Sequence, residues 1–599
     1  MFEKRFAPFF WTQFLGAFTD NAFKQALVLM ITFRVTMTEA ETGMLIAVAS
    51  GLFILPYFLF SPLAGQIADK AEKAGIMRRV KLLEIVIMAL AAAGFMMADA
   101  GVAWADNYLI AILFLMGTQS TFFGPAKYSI IPQHLRDEEL MQGTALVESG
   151  TFIAILTGTI VGGILILQTP QLVGASLISL AVAGWLTSLK IPYAAPSNPE
   201  LTIRWNWLSE YGNLYRVASQ KSSVFLSIIG ISWFWFLGAM VMAQLPNFVK
   251  LFVHGDESVY IFLLSLFTLS IAAGSTLTDL LSDDSIELGM VPFGAVGLTV
   301  FSLDIGLLDY SNAPAEALNI ATIFSGTTDT SIIRVVVDIC GMGVAGSFFI
   351  VPLYALLQHR TAPETRSQVI AANNVAGAAF MVTSAVVVSA LYAAGFSTPQ
   401  LFLVLAALNA VTGSYLVFKH PEFVLRFCSW AIGMTRYRVH YEGRAGIPNN
   451  GACLVLATPT GLHDWPMISA ACERSVRFAF ETSAPNGLKT QILRRWFRAI
   501  PVRSEQQDAP SAGDTIHAAF EAGEVVCLFV ADSAKASAAR QELVSQIGRE
   551  ADRMAVPTVT IAIKRDRAPD PLPVQPTPIP SSRRQHFTVV VESQAEPTP

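Results

Sequence analysis

The stretch FFWTQFLGAFTDNAFKQ occupies residues 9–25. It is apolar enough to cross a bilayer, yet it holds Asp20, Asn21, Lys24 and Gln25. Translocon scales put an Asp or a Lys at the centre of a membrane helix at about 2.5–3.5 kcal/mol each. A chain that accepts this cost uses the groups. Asp20 and Lys24 are spaced i,i+4, so the pattern predicts that they neutralise each other on one helix face, with Asn21 and Gln25 extending the polar strip. Similar apolar runs, each about as long as the twenty residues a bilayer requires, recur from Phe9 to Phe418. Reading apolar windows against polar breaks predicts twelve spans, six before the polar stretch Lys190–Lys221 and six after it.

Composition agrees. Hydrophobic residues are 53% and charged residues 14% of the 599, well below the roughly 25% charged of soluble domains. The net charge of −5 is small, and no basic patch with interleaved aromatics suggests nucleic acid. The five cysteines are scattered without a CxxC pair, which argues against a disulfide framework or a zinc site, and no cofactor motif appears. The start MFEKRFAPFF runs straight into a span and lacks a small-residue cleavage site, so it reads as a retained segment. Lys70, Lys73, Arg78, Arg79 and Lys81 are expected in the loop after span two. With the linker cations, Arg360, Arg366 and Lys419, they fall on one side, whereas the opposite loops hold mainly Arg34 and Lys250. This asymmetry predicts both termini in the cytoplasm.

Further polar intrusions are Lys127, Glu148, Asp338 and the pair Asn373 and Asn374. Facing a cavity, a lysine or carboxylate could engage a phosphate or zwitterionic headgroup by a charge-assisted bond. The ends of spans four and ten echo each other, FFGPAKYSIIPQH (122–134) and FFIVPLYALLQH (348–359), as an internal repeat would.

Two halves of six spans and the stretch Gly65-Gln-Ile-Ala-Asp69-Lys70, followed by Arg78 and Arg79, resemble the major facilitator superfamily. That resemblance implies a cytoplasmic gate built from Asp69, Lys70, Arg78 and Arg79. FTDNAFKQAL, GPAKYSIIPQHL and VPLYALLQHR narrow it to the lysophospholipid transporter branch. The implied activity is movement of lysophospholipids from the outer to the inner leaflet of the bacterial cytoplasmic membrane. Asp20, Asn21, Lys24, Lys127, Glu148, Asp338, Asn373 and Asn374 are the expected substrate-binding set.

After about residue 420 charge and proline return, and strands are expected at Tyr437–Glu442, Cys453–Ala457, Val476–Phe480, Val525–Phe529, Thr558–Ile563 and His586–Val591, with helices between them. TPTGLHDWPMI (458–468), Ile500-Pro-Val-Arg503 and Leu528-Phe-Val-Ala-Asp-Ser533 resemble the blocks of the glycerolipid acyltransferases. In that family a His five residues before the Asp is the general base. Here Asp464 is present, but Pro459 stands at the base position and cannot accept a proton. His463 is the nearest substitute, and Arg503 matches a phosphate-contact position. The resemblance implies a degenerate acyltransferase site at Pro459, His463, Asp464 and Arg503.

The expected architecture is an all-α membrane domain with the twelve-helix 6+6 fold at 1–420 (halves about 1–190 and 222–420, linker 190–221), then a cytoplasmic α/β acyltransferase-like domain at 421–599. The expected partners are lysophospholipid, the bilayer, and an acyl carrier protein or separate acyltransferase. Two alternatives stay open: an active fusion that re-acylates the imported lipid, and a transporter of another amphiphile.

Overall fold

The computed structural model describes residues 5–32, 39–136, 139–166, 168–204, 206–282, 288–309, 318–320, 323, 330–419, 427, 437–443, 447–448, 451–458, 464–472, 476–481, 491, 499–502, 512–530, 538–565 and 585–593. The chain divides into one unit of Met1–Ile286 and Phe293–Gly413, and a second of Glu287–Pro292 and Ser414–Pro599.

The first unit is helical. α1 (Ala7–Thr32), α2 (Glu39–Lys70), α3 (Lys73–Asp99), α4 (Ala105–His134), α5 (Leu140–Leu165) and α6 (Pro170–Ser188) precede a short helix, α7 (Trp207–Ser219). Then come α8 (Ser222–Phe248), α9 (Glu257–Ser282), α10 (Met290–Leu307), α11 (Thr330–Arg360), α12 (Arg366–Ala393) and α13 (Thr398–Lys419). Among the described residues, eleven helices are long and apolar enough to cross a membrane. α1, 26 residues long, is interrupted by Asp20, Asn21, Lys24 and Gln25. Outer faces such as Leu82, Leu83, Val86 and Leu90 of α3 are exposed, as a lipid-facing surface requires.

Small residues set the closest crossings. α5 presents Gly158 and Gly162 to α1, where an added Cβ would fall on the carbonyl oxygens of Phe18 and Ala22. This G-x-x-x-G face lets two backbones meet without hydrophobic drive between helices. Within the first six helices α1 packs on α5 and α6, α2 on α4, and α3 on α4 and α6; later, α8 packs on α11 and α12, and α9 on α11. The two groups meet through α2 with α12 and α5 with α9.

The basic stretch after α2 departs from expectation. Only Ala71 and Glu72 separate α2 from α3, so Lys73, Arg78, Arg79 and Lys81 lie in a helix, not a loop. Lys81 is tolerated there because Glu84, one turn on, accepts its ammonium at 2.6 Å. Between α4 and α5, Glu139 accepts from the Arg136 backbone N–H at 3.0 Å and pairs with Arg5. Chiefly through that N–H, its carboxyl is held down at about 2, which ties the start of α1 to this connection.

The second unit holds a seven-stranded sheet ordered β1-β7-β6-β2-β5-β3-β4. Its strands are β1 (Tyr437–Glu442), β2 (Cys453–Ala457), β3 (Val476–Glu481), β4 (Ile500–Val502), β5 (Val525–Phe529), β6 (Thr558–Arg565) and β7 (Gln585–Ser593). All neighbouring pairs are parallel except β6 with β7. The six expected strands are present with ends shifted by at most two residues, and the three-residue β4 is additional. Side chains alternate across the sheet. Cys453, Val455 and Ala457 pack with Met467 and Ile468 of α14 (Asp464–Ala471). Leu454, Val526 and Leu528 pack on the other face with Ile516 and Phe520 of α15 (Ala512–Glu521) and Ile547 of α16 (Ala538–Arg553). Cover on both faces explains why β2 and β5 read as continuous apolar runs.

The α1–α5 crossing gives a stability prediction. Gly162→Val places its branched side chain against the Ala22 backbone, whereas the nearest atom to a Cβ at the adjacent Gly163 is Leu29 Cδ1 at 3.5 Å. Gly162→Val is expected to lower the midpoint of thermal unfolding in detergent, with an overpacking cost of about 1–3 kcal/mol. Gly163→Ala is expected to leave it within experimental scatter.

Candidate functional site

Two polar clusters lie along the same faces of α1 and α4. On α1 they are centred on Gln13 and Asp20, and on α4 on Ser120 and Lys127. In each helix seven residues separate them, two turns or about 10 Å.

In the first cluster, Ser120 Oγ donates to Asp20 Oδ2 at 2.7 Å and lies 3.1 Å from Gln119 Oε1. Gln119 Nε2 donates to Glu84 Oε2 at 3.0 Å, and Lys81 Nζ reaches the same oxygen at 2.6 Å. Lys81 and Glu84 are both 1% exposed. Gly16 makes this possible, because a Cβ there would collide with the Lys81 ammonium. The remaining oxygens, Asp20 Oδ1 and Glu84 Oε1, are buried without a hydrogen-bond donor among the described residues. The expected Asp20–Lys24 pair does not form. Asp20 turns to Ser120, and the Lys24 ammonium lies over the Phe53 ring, 5.6 Å from its centre. Asn21 is spent locally, donating to the Ala17 carbonyl at 2.7 Å.

In the second cluster, buried Lys127 donates to Thr151 Oγ1 at 2.9 Å, which lies 3.0 Å from Gln13 Oε1. Its ammonium also sits 4.9 Å from the centre of the Tyr128 ring. Glu148 accepts from the Tyr128 hydroxyl at 2.9 Å. Tyr128 stacks on Tyr354 of α11, with centroids 4.8 Å apart and planes 4° from parallel. Trp235 Nε1 of α8 donates to the Tyr354 hydroxyl at 3.3 Å. Asn373 is buried and Asn374 is close to Gly124 on α4. Asp338 stands apart, buried on α11 with Asp304 and Arg334 as its charged neighbours.

The groups of helices close on one another beside the second cluster. The first turn of α12 lacks a side-chain cap from its own Thr365. Asp69, at the end of α2, serves instead: Oδ1 accepts from Ser367 N at 3.0 Å, and Oδ2 accepts from Gln368 N at 3.3 Å and Gln368 Nε2 at 3.1 Å. A carboxylate there satisfies orphan N–H groups and meets the positive end of the helix dipole. Ser129 and Ser367 are joined across the same seam at 3.1 Å, and Ser149 donates to the Ala272 carbonyl at 3.0 Å. Of the other residues expected to gate, Lys70 and Arg79 are exposed. Arg78 lies 3.9 Å from Glu72 and 3.5 Å from the Ile191 carbonyl. In the second unit, Asp464 is buried in the first turn of α14. Pro459, His463 and Arg503 lie outside the described residues.

Residues 9–341 match the family model of the Major Facilitator Superfamily. The chain belongs to this superfamily. This superfamily chain is similar to the lysophospholipid transporter LplT of Enterobacter sp. (strain 638), at 28% identity over 354 residues that cover 58% of this chain and 78% of that protein. The LplT of Escherichia fergusonii is 27% identical over 356 residues, with the same shares. Among solved structures, the human organic anion transporter MFSD10 aligns with a TM-score of 0.54 at 13% identity, covering 69% of this chain and 99% of that one. The transporter FucP in its outward conformation aligns at 0.53 and 12%, covering 69% and 98%. These two share the major facilitator fold.

Sequence reading missed Lys81–Glu84, Gln119, Ser120, Thr151 and the Tyr128–Tyr354 stack. The available signals were an i,i+3 charge pair inside the apolar run of α3, and two tyrosines each six residues after the repeated Phe-Phe starts at Phe122 and Phe348. The seam between the two major facilitator groups yields a prediction. Cysteines at Ser129 and Ser367 are expected to cross-link readily under mild oxidation. Adding Asp69→Ala removes the cap and is expected to slow cross-linking about tenfold, matching a cap of about 1–2 kcal/mol. An unchanged rate would show that Asp69 does not hold the seam shut.

Proposed function

We propose that the chain is a twelve-span transporter of the bacterial cytoplasmic membrane that moves lysophospholipid from the outer to the inner leaflet. In this reading residues 1–420 form the transporter, with halves at about 1–190 and 222–420 and a cytoplasmic linker at 190–221. The observation that carries the substrate class is a pair of opposite charges on α1, one turn apart and turned away from each other. Asp20 has one oxygen without a donor, and the Lys24 ammonium has no ion-pair partner among the described residues. A zwitterionic headgroup is complementary to such a site, its ammonium to Asp20 and its phosphate to Lys24. Lys127 and Glu148, with Asn373 and Asn374, form the deeper station toward the cytoplasm. The similarity to lysophospholipid transporters over 78% of their length supports the same class. Alternating access then requires the Asp69 seam, which is the cytoplasmic end in this reading, to part. Asp338 would act on substrate from the other half.

Residues 421–599 are read as a cytoplasmic acyltransferase-like domain without catalysis. The loop after β2 leaves the carboxyl end of a central parallel strand, where α/β sheets place their ligands, and Asp464 follows it. With proline five residues earlier, the proton acceptor for a glycerol hydroxyl is missing. The domain then serves to bind lipid, an acyl carrier protein or a separate acyltransferase.

Two assays test this. In vesicles containing the full chain, fluorescent lysophosphatidylethanolamine is expected to change leaflets at least about tenfold faster than with Asp20→Asn, the loss of one charge-assisted contact. No excess over protein-free vesicles would refute the transport reading, and equal rates for both above that background would refute the role of Asp20. Purified chain given acyl donor and lysophospholipid is expected to form no diacyl product above background. Robust acylation abolished by His463→Ala would instead favour an active fusion.

A further inference from the structure

The Lys81–Glu84 pair adjoins the proposed headgroup site through Gln119 and Ser120. Its geometry is specific. The Lys81 ammonium is threaded against α1 at Gly16, one turn from Asp20 on the same helix face. Among the described residues, three charged side chains therefore share one buried cluster, two carboxylates and a single ammonium, and Lys81 and Glu84 are the charges that Asp20 feels from α3. The ammonium is bonded to Glu84, not Asp20. Gln119 fixes that choice by donating to the same Glu84 oxygen, while Ser120 holds Asp20 from the other side. Lys24 on α1 is the next cation, and it rests on Phe53.

We propose that Glu84 is a positioning residue for headgroup selection: by holding Lys81 it keeps Asp20 uncompensated, so that the cluster accepts the ammonium of an amine-bearing lysophospholipid. The energetic logic is that of a buried ion left one partner short. Two carboxylates around one ammonium leave a unit of negative charge in a water-poor site, which is costly until a cation arrives. The substrate supplies the cation. A headgroup without an amine can donate a hydroxyl to Asp20 but brings no positive charge to offset the cluster. Removing the Glu84 charge frees Lys81 to pair with Asp20, and the site then loses its preference.

The inference rests on the transport reading above, and its test separates the two. Binding of lysophosphatidylethanolamine and of lysophosphatidylglycerol to the purified full chain is compared in four proteins. In the wild type the amine-bearing lipid is expected to bind more tightly. Glu84→Gln is expected to reduce that preference about tenfold, with affinity for lysophosphatidylglycerol held or improved. Lys81→Met, which leaves both carboxylates uncompensated, is expected to shift the preference the opposite way. The double variant Lys81→Met with Glu84→Gln removes both charges, keeps side-chain length and is expected to return toward the wild-type ratio. A merely structural role predicts parallel losses for both lipids and no rescue. Single variants that shift the ratio in the same direction, or leave it unchanged, would overturn the inference while leaving transport intact. Failure of the wild type to bind either lipid would instead remove the transport reading and this inference with it. Should Glu84→Gln not fold, the opposed shift in Lys81→Met and the restored ratio in the double variant still decide the matter.

Discussion

The hydrocarbon of a membrane offers no water to satisfy a polar group, so a buried donor, acceptor or charge left unanswered by another part of the same chain is costly. That constraint organises the first unit. It explains why Lys81 can be 1% exposed in an apolar helix, because Glu84 lies one turn away and Gly16 leaves room on α1. It also explains why the start of α12, whose own Thr365 offers no cap, ends on Asp69 from a distant helix. The same requirement that makes polar residues expensive here makes the few present the places where helices are joined.

Those joints are distributed with a symmetry that matters for motion. α2 meets α12 and α5 meets α9, while α4 and α11, which carry the echoed sequences, meet through Tyr128 and Tyr354. Equivalent positions of a repeat stacking on each other is what a two-fold axis between the halves produces, since a residue on the axis faces its own counterpart. The seam around this stack is made of hydrogen bonds such as those of Asp69, Ser129 and Ser149, with small side chains between them. Each such bond is worth about 0.5–1.5 kcal/mol net. A handful of them can hold one state and still be exchanged for another by a ligand that favours opening.

How much of this was legible in the sequence follows from which signals are local. Hydropathy gave the approximate limits of the eleven apolar helices among the described residues, because bilayer thickness imposes a length on every apolar run, whereas α1 with its polar strip falls outside that set. The sheet of the second unit was equally readable. Strands buried on both faces, such as Val525–Phe529, stand out between turn residues. The site was legible by residue type but not by pairing. Asp20, Lys127 and Glu148 stood out as charges in apolar helices, yet their partners are uncharged groups, Ser120, Thr151 and Tyr128, that carry no such mark. The i,i+4 spacing suggested an Asp20–Lys24 pair because spacing fixes the helix face and not the rotamer. The loop reading of Lys81 failed for a related reason: a lysine predicts solvent only until a carboxylate one turn away changes its surroundings.

The contrast between two aspartates carries the functional argument furthest. Asp69 and Asp20 both lie within long helices and both accept from groups on another helix. Asp69 has both oxygens filled, with three N–H donors from the first turn of α12, and so its energy is spent on holding two helices together. Asp20 has one oxygen filled by Ser120 and one enclosed without a donor. An enclosed carboxylate oxygen with an empty lone pair is unfavourable in a static structure. It becomes favourable once a donor from outside the chain occupies it. In the proposed transport, that contrast assigns Asp69 to the machinery that would change state and Asp20 to the part that would meet what is carried.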